Sequence, residues 1–184
     1  SSRSRVKSYR ISLCGSMYLK LGRRIYDNIK KAIVFIVAVH VPIAGLSMLP
    51  GFFSSWPLLI LPVHIAFLQL IIDPACTLIF EAEQAETDVM RRPPRRREVG
   101  LFSKETLSIA LLQGFSILAV CLGVFLLARK DHSDDAARAL TFVTLVVAFV
   151  VVILVNRSWL RSAVAMFRVP NPAVRWVLLG AVTF

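Results

Sequence analysis

The chain has 184 residues, 57% of them hydrophobic, with a mean hydropathy of +0.69 and a formal net charge of +11. Soluble domains hold about 45–50% apolar residues, and here the excess is gathered into long uninterrupted blocks, which excludes an ordinary soluble core. The basic residues lie between these blocks, as topology determinants and contacts for anionic lipid headgroups, and without aromatic interleaving they do not describe a nucleic-acid partner.

Residues 1–31 carry nine Lys or Arg and no long apolar run, which is not the pattern of a signal peptide. A first hydrophobic block covers residues 32–49 and is interrupted by His40 and Pro42. An uncharged loop over 50–57, with Gly51 and Trp56, leads to a second block over 58–80 that contains His64, Gln69 and Asp73-Pro74. The polar connection 81–105 includes the run Arg91-Arg92-Pro93-Pro94-Arg95-Arg96-Arg97. A third block (106–128), a charged loop (129–138), a fourth block (139–155) and a basic connection (156–172) follow. The last block, from 173 to Phe184, is 12 residues long, too short to cross a bilayer, and reads as a helix that is cut off. The expected fold is an all-α, polytopic transmembrane helix bundle of about five hydrophobic helices, the last truncated, because spanning segments must satisfy their backbone internally.

Charge counts orient the bundle. The N-terminal arm has nine Lys or Arg, the 81–105 connection six, and the 156–172 connection three. The 50–57 loop has none, and the three in 129–138 are offset by Asp131, Asp134 and Asp135. Positive residues stay inside, so the N-terminus is expected in the cytoplasm and the blocks cross alternately. Cys14, Cys76 and Cys121 are far apart with no CxxC spacing, which speaks against a disulfide framework or a structural zinc site.

Asp73 carries the most chemistry. A carboxylate beside Leu70-Ile71-Ile72 is costly inside a bilayer and marks an ion or proton path. Pro74 cannot donate a backbone hydrogen bond, so the helix is expected to kink or unwind there, and freed carbonyls beside a carboxylate make an oxygen-rich cation site. Gln69, four residues earlier, and Cys76 and Thr77, three and four later, share its helical face. The alternative for Asp73 is a protonated carboxyl bonded to a neighbouring helix. His40 with Pro42 repeats the pattern in the first block, either as ligand or proton relay or as an interhelical hydrogen bond; His64 reads as structural. His40, Asp73 and Cys76 together would suit a softer transition metal, with Cys76 the lesser candidate. The Arg91 to Arg97 run is a solvated loop or, stiffened by its prolines, a docking surface for a cytoplasmic domain.

Three stretches carry a family resemblance. Gly22-Arg23-Arg24-Ile25-Tyr26-Asp27-Asn28-Ile29-Lys30-Lys31-Ala32-Ile33 resembles the stalk and start of the fifth membrane helix of P-type cation ATPases. Pro62-Val63-His64-Ile65-Ala66-Phe67-Leu68-Gln69-Leu70-Ile71-Ile72-Asp73 is similar to their sixth helix, and Asp88-Val89-Met90-Arg91-Arg92-Pro93-Pro94-Arg95 to the loop after it. The resemblance covers residues 22–184 and makes the blocks helices five to nine, leaving 1–21 an unassigned basic segment. It implies that Asp73 falls at the ligand aspartate of helix six, Gln69 at a coordinating Asn position, and His40 at a ligand Asn position of helix five. A ligand Glu and a ligand Thr of the family are Ile43 and Ile72 here, so the calcium or sodium set is not intact, and the His-Val-Pro and Asp-Pro pairs fit the looser bacterial cation-ATPase group.

The family's Asp-Lys-Thr-Gly-Thr, Thr-Gly-Glu and Gly-Asp-Gly-x-Asn-Asp motifs do not occur in the 184 residues. The expected function is therefore the C-terminal, cation-binding membrane domain of a P-type cation-transporting ATPase, without phosphorylation and nucleotide-binding domains, and this chain alone should not hydrolyse ATP. No catalytic residue and no resident cofactor are expected, since ATP and Mg belong to the parent family's catalytic part. The expected partners are the lipid bilayer, a metal cation and that catalytic part, in the plasma (inner) membrane. The alternative is a non-enzymatic regulator, scaffold or remnant that keeps the fold.

Overall fold

The computed structural model describes residues 2–53, 55–86, 88–93 and 100–157, and of residues 2–14, 71 and 73–77 the backbone only. The described residues are helical with short connections: α1 (Ser2–Phe52), α2 (Pro62–Pro74) running into a π-helical segment (Ala75–Phe80), α3 (Lys104–Asp131) and α4 (Asp134–Asn156). The block from 173 to Phe184, the expected fifth helix, lies outside the described residues.

Among the described residues, three helices are long and apolar enough to cross a membrane: Gly15–Phe52 within α1, α3 and α4. With 51 residues, α1 is about 76 Å long, far more than the ~30 Å hydrocarbon layer needs, so its basic N-terminal half projects as a stalk. The expected block began at residue 32; the helix itself continues without a break through the basic arm and across the boundary at residues 21 and 22.

Pro42 and Pro50 both lie inside α1, which runs on to Phe52. A proline removes one rung of the ladder, and here a neighbouring helix closes up to the gap. Pro42 leaves the carbonyl of Ala38, four residues earlier, without its helical donor. Gly114 of α3 stands against that carbonyl so tightly that a Cβ on it would lie 2.9 Å from the Ala38 oxygen and 2.6 Å from Val41 Cβ. Likewise, a Cβ on Gly45 would lie 2.6 Å from Leu118 Cδ2. Small residues thus let the backbones of α1 and α3 approach, which is how helices associate where lipid removes the hydrophobic driving force.

The α3–α4 hairpin is locally specified. Ser103 caps α3 by accepting from the Thr106 N–H, and Ser133 caps α4 by accepting from the Ala136 N–H. Glu105, Asp134 and Asp135 sit in first turns and Arg129 and Lys130 in a last turn, each complementing the helix dipole. Buried Ala110, Gly114, Ile117, Cys121, Phe125 and Ala128 recur every three or four residues on α3, the single stripe a helix must bury. On the outside, Leu112, Phe115, Leu127, Val143, Val147 and Val151 are exposed, an apolar surface that suits acyl chains and not water. Hydroxyls within the spans bond their own helix: Ser47 to Ile43, Ser116 to Leu112, Thr141 to Ala137, Thr144 to Leu140. At the end of the bundle where α1 stops, Phe53 stacks on Trp56 (4.9 Å) and Trp56 meets Phe125 (5.6 Å), closing the 50–57 loop over α3.

Candidate cation site and the polar clamp beneath it

The second hydrophobic block becomes helical at Pro62, four residues later than its hydropathy alone suggests, and it changes character at the expected place. The α-helical pattern ends at Pro74, and the next six residues wind as a π-helix. Without an N–H at Pro74 the Leu70 carbonyl has no α-helical donor, and the wider winding that follows shifts the partners of the carbonyls after it. Asp73 occupies the last position but one before this change, in the same ridge of α2 as half-buried Gln69. The side chains of Asp73 and Cys76 lie outside the described residues. Leu68 and Ile72 form the adjacent buried ridge, and Ile72 and Ile43 both belong to the apolar core.

His40 is exposed on α1, and its Nδ1 lies 2.7 Å from the carbonyl oxygen of Ile36. A carbonyl only accepts, so Nδ1 carries the proton and donates. In the neutral form of the ring this tautomer leaves the lone pair on Nε2. Among the described residues no hydrogen bond joins His40 to Gln69, and no group of three or more His, Cys, Asp or Glu stands close enough to hold a metal. His64 stacks on Phe142 (4.4 Å) and accepts from the Leu61 N–H at the start of α2, a packing position between α2 and α4.

Below the apolar part of α1 lies an array of charges that hydropathy reading passes over. Lys31 and Glu86 form a buried ion pair at 2.6 Å, with side chains 1% and 6% exposed. Lys31 Nζ also donates to the Arg157 carbonyl at 2.8 Å. Arg157, directly after α4, donates from Nε to Glu83 Oε2 at 2.8 Å, again with both side chains buried. The Glu83 carbonyl in turn accepts from Arg24 Nε and from Asn28 Nδ2, each at 2.9 Å. One turn of α1 beyond Lys31, Phe35 packs on Phe80, the last residue of the π-helical segment (5.4 Å).

The stalk also grips the loop farther out. Arg23 donates to the carbonyls of Val89 (2.7 Å) and Arg92 (2.8 Å). Arg92 makes a two-pronged bond to Asp88, at 2.8 and 2.7 Å, and reaches Asp27 at 2.9 Å. The guanidinium beside Asp88 holds its carboxyl below the usual carboxylate range, and the pairing raises Arg92. The basic run is therefore not simply solvated: Arg92 is tied to the stalk. Residues 94–99 of the run lie outside the described residues. The stalk face and this loop enclose an open groove of about 1090 Å³ lined by Tyr18, Tyr26, Asp27, Val89 and Arg92 among others. The one hint in the sequence was position: Lys31 directly precedes an apolar block, and Glu83 and Glu86 directly follow one.

Sequence comparison agrees with this architecture. The family profile described as "Cation transporting ATPase, C-terminus" matches residues 57–184. A calcium-transporting ATPase of Bacillus subtilis (strain 168) is 31% identical over 166 residues, covering 89% of this chain and 18% of the relative. A calcium-transporting ATPase of Listeria monocytogenes is 28% identical over 144 residues (78% of this chain, 16% of the relative), and calcium-transporting ATPase 1 of Lactococcus lactis 25% over 130 residues (71% and 15%). The chain thus spans less than a fifth of the length of the curated relatives it matches. Stalk, broken second block, clamped loop and profile match all agree: this chain belongs to the P-type cation-transporting ATPase family, as its C-terminal membrane domain.

Proposed function

We propose that this membrane domain binds the transported cation at the break in the α2 helix, with Asp73 as the charged ligand, Gln69 as a neutral oxygen ligand and His40 contributing Nε2. The observation that carries the reading is the change from α to π winding directly after Asp73-Pro74. A carboxylate at a point where backbone carbonyls lose their helical donors offers the hard oxygen donors that alkaline-earth cations take. The printed names of the relatives make Ca²⁺ the first ion to test. The apolar Ile43 and Ile72 in the core leave fewer oxygens than the family's calcium set, and Cys76 is a further, softer donor.

The domain acts together with the catalytic part of such a pump, which supplies ATP and Mg²⁺ chemistry; this region holds no cofactor of its own and catalyses nothing alone. Its stalk and its 81–105 connection face the cytoplasm of the plasma membrane, supported by the balance of Lys and Arg across the connections. Calorimetric titration of Ca²⁺ and other divalent cations into the purified chain tests the reading. Binding that Asp73→Asn reduces by two orders of magnitude or more is expected; binding indifferent to that substitution sinks it.

A further inference from the structure

We infer that Lys31, Glu86, Glu83 and Arg157 form an ionic strut that positions the Asp73 segment relative to α1 and α4, with Lys31 as the central positioning residue. The inference rests on the reading of Asp73 as a cation ligand. Its own basis is the connectivity of the buried charges. Glu83 stands three residues beyond the π-helical segment and is held at both ends. Its carboxylate takes Arg157 at the end of α4, and its carbonyl takes Arg24 and Asn28 of α1. Lys31 completes the ring by donating at once to Glu86 of the same loop and to the main chain of Arg157.

Apolar contacts slide at little cost, whereas buried charges with fixed hydrogen-bond geometry do not. An apolar pair of similar volume would hold the fold as well. What the ions add is direction: α1 cannot turn or tilt at Lys31 without carrying residues 83–86 along. Those residues continue directly from the π-helical segment, whose Phe80 rests on Phe35 of α1. The tie to Arg157 makes the end of α4 the fulcrum. A displacement of the stalk therefore reaches the Asp73 segment through the strut.

The test uses the 184-residue chain in lipid nanodiscs, with two readouts: hydrogen exchange of backbone amides, and the Kd for Ca²⁺. Lys31→Met should speed exchange across residues 75–86 by about tenfold or more and leave amides 110–152 of the hairpin unchanged. It should also weaken Ca²⁺ binding by about tenfold, while Lys31→Arg, which keeps the charge and the donors, restores both. Glu86→Gln, which keeps the volume and a neutral acceptor, is read in the same way should Lys31→Met fail to fold. Unchanged exchange over 75–86, or an equal rise throughout the hairpin, overturns the strut. Local loosening with an unmoved Kd, in a chain whose binding Asp73→Asn abolishes, overturns the positioning role alone. A wild-type chain that binds no Ca²⁺ or other divalent cation removes the reading of Asp73 and the positioning role with it, while the exchange data still decide whether the strut exists.

Discussion

The α3–α4 hairpin and the α1–α2 half of this bundle solve the same problem, burying polar groups in or beside a bilayer, by different means. In the hairpin the serine and threonine hydroxyls are satisfied close by in sequence: Ser103 and Ser133 cap their own helices, and Ser108, Ser116, Thr141 and Thr144 bond carbonyls one turn back. In the other half the buried charges find their partners far along the chain. Lys31 meets Glu86 and Arg157, and Arg24 and Asn28 meet Glu83, across 55 or more residues. Hydroxyls bonded to their own helix do not depend on how neighbouring helices are placed. Helices whose charges and broken rungs are completed by other elements respond when those elements move, and the candidate ion ligands lie in that half.

The sharpest test of the comparison removes one charge from the distant set. Glu83→Leu takes away the carboxylate that faces the buried Arg157 guanidinium and should cost about 3–5 kcal/mol, read as a large fall in the melting temperature in detergent. Next come two glycines of one helix. Gly114→Ala places its methyl 2.6 Å from Val41 Cβ, and the overpacking between α1 and α3 should cost about 1–3 kcal/mol. A Cβ on Gly123 would meet nothing within 4 Å, so Gly123→Ala should be neutral or stabilise by about 0.5–1 kcal/mol through helix propensity.

A smaller effect is expected where α3 and α4 share one amide pair. Asn156 Nδ2 donates to Gln113 Oε1 at 3.0 Å, and Gln113→Leu should cost about 0.6 kcal/mol, the scale of interhelical hydrogen bonds in membranes. Smallest is the exposed pair Arg129–Asp134 at 3.0 Å, where Arg129→Ala should cost less than about 1 kcal/mol. A pH series sharpens the picture at the loop. Arg92 depresses the folded pKa of Asp88 below its ordinary 3.8, so the contribution of this pair is fully present above that value. It is lost as pH falls through the lower folded pKa. The protection of amides 88–92, taken relative to their intrinsic exchange rate at each pH, should therefore stay flat down to about pH 4 and fall below it, and Asp88→Asn should remove the dependence.

Much of the bundle is readable from residue order. The boundaries of α3 and α4 follow from apolar length, from serines placed at N-caps and from acidic first turns, all local signals. Asp73-Pro74 announces a break, and the winding changes there because the missing N–H is a property of Pro74 itself. Pro42 carries the same local signal and yet interrupts nothing visible, since the glycine that lets α3 close against Ala38 lies far along the chain. Lys31, Glu83 and Glu86 read as ordinary charges flanking apolar blocks. Their burial depends on Arg157, which no spacing rule connects to them.

By itself, then, the sequence determined that this is a membrane bundle, where α3 and α4 begin and end, where a carboxylate meets a helix-breaking proline and which family the chain belongs to, because hydropathy, capping and proline chemistry act over a few residues. Only the tertiary structure decided which charges are buried, which helix closes over Pro42 and how the stalk is tied to the segment that carries Asp73. Those outcomes depend on pairings between groups 55 to 126 residues apart, whose energies exist only once the helices have packed.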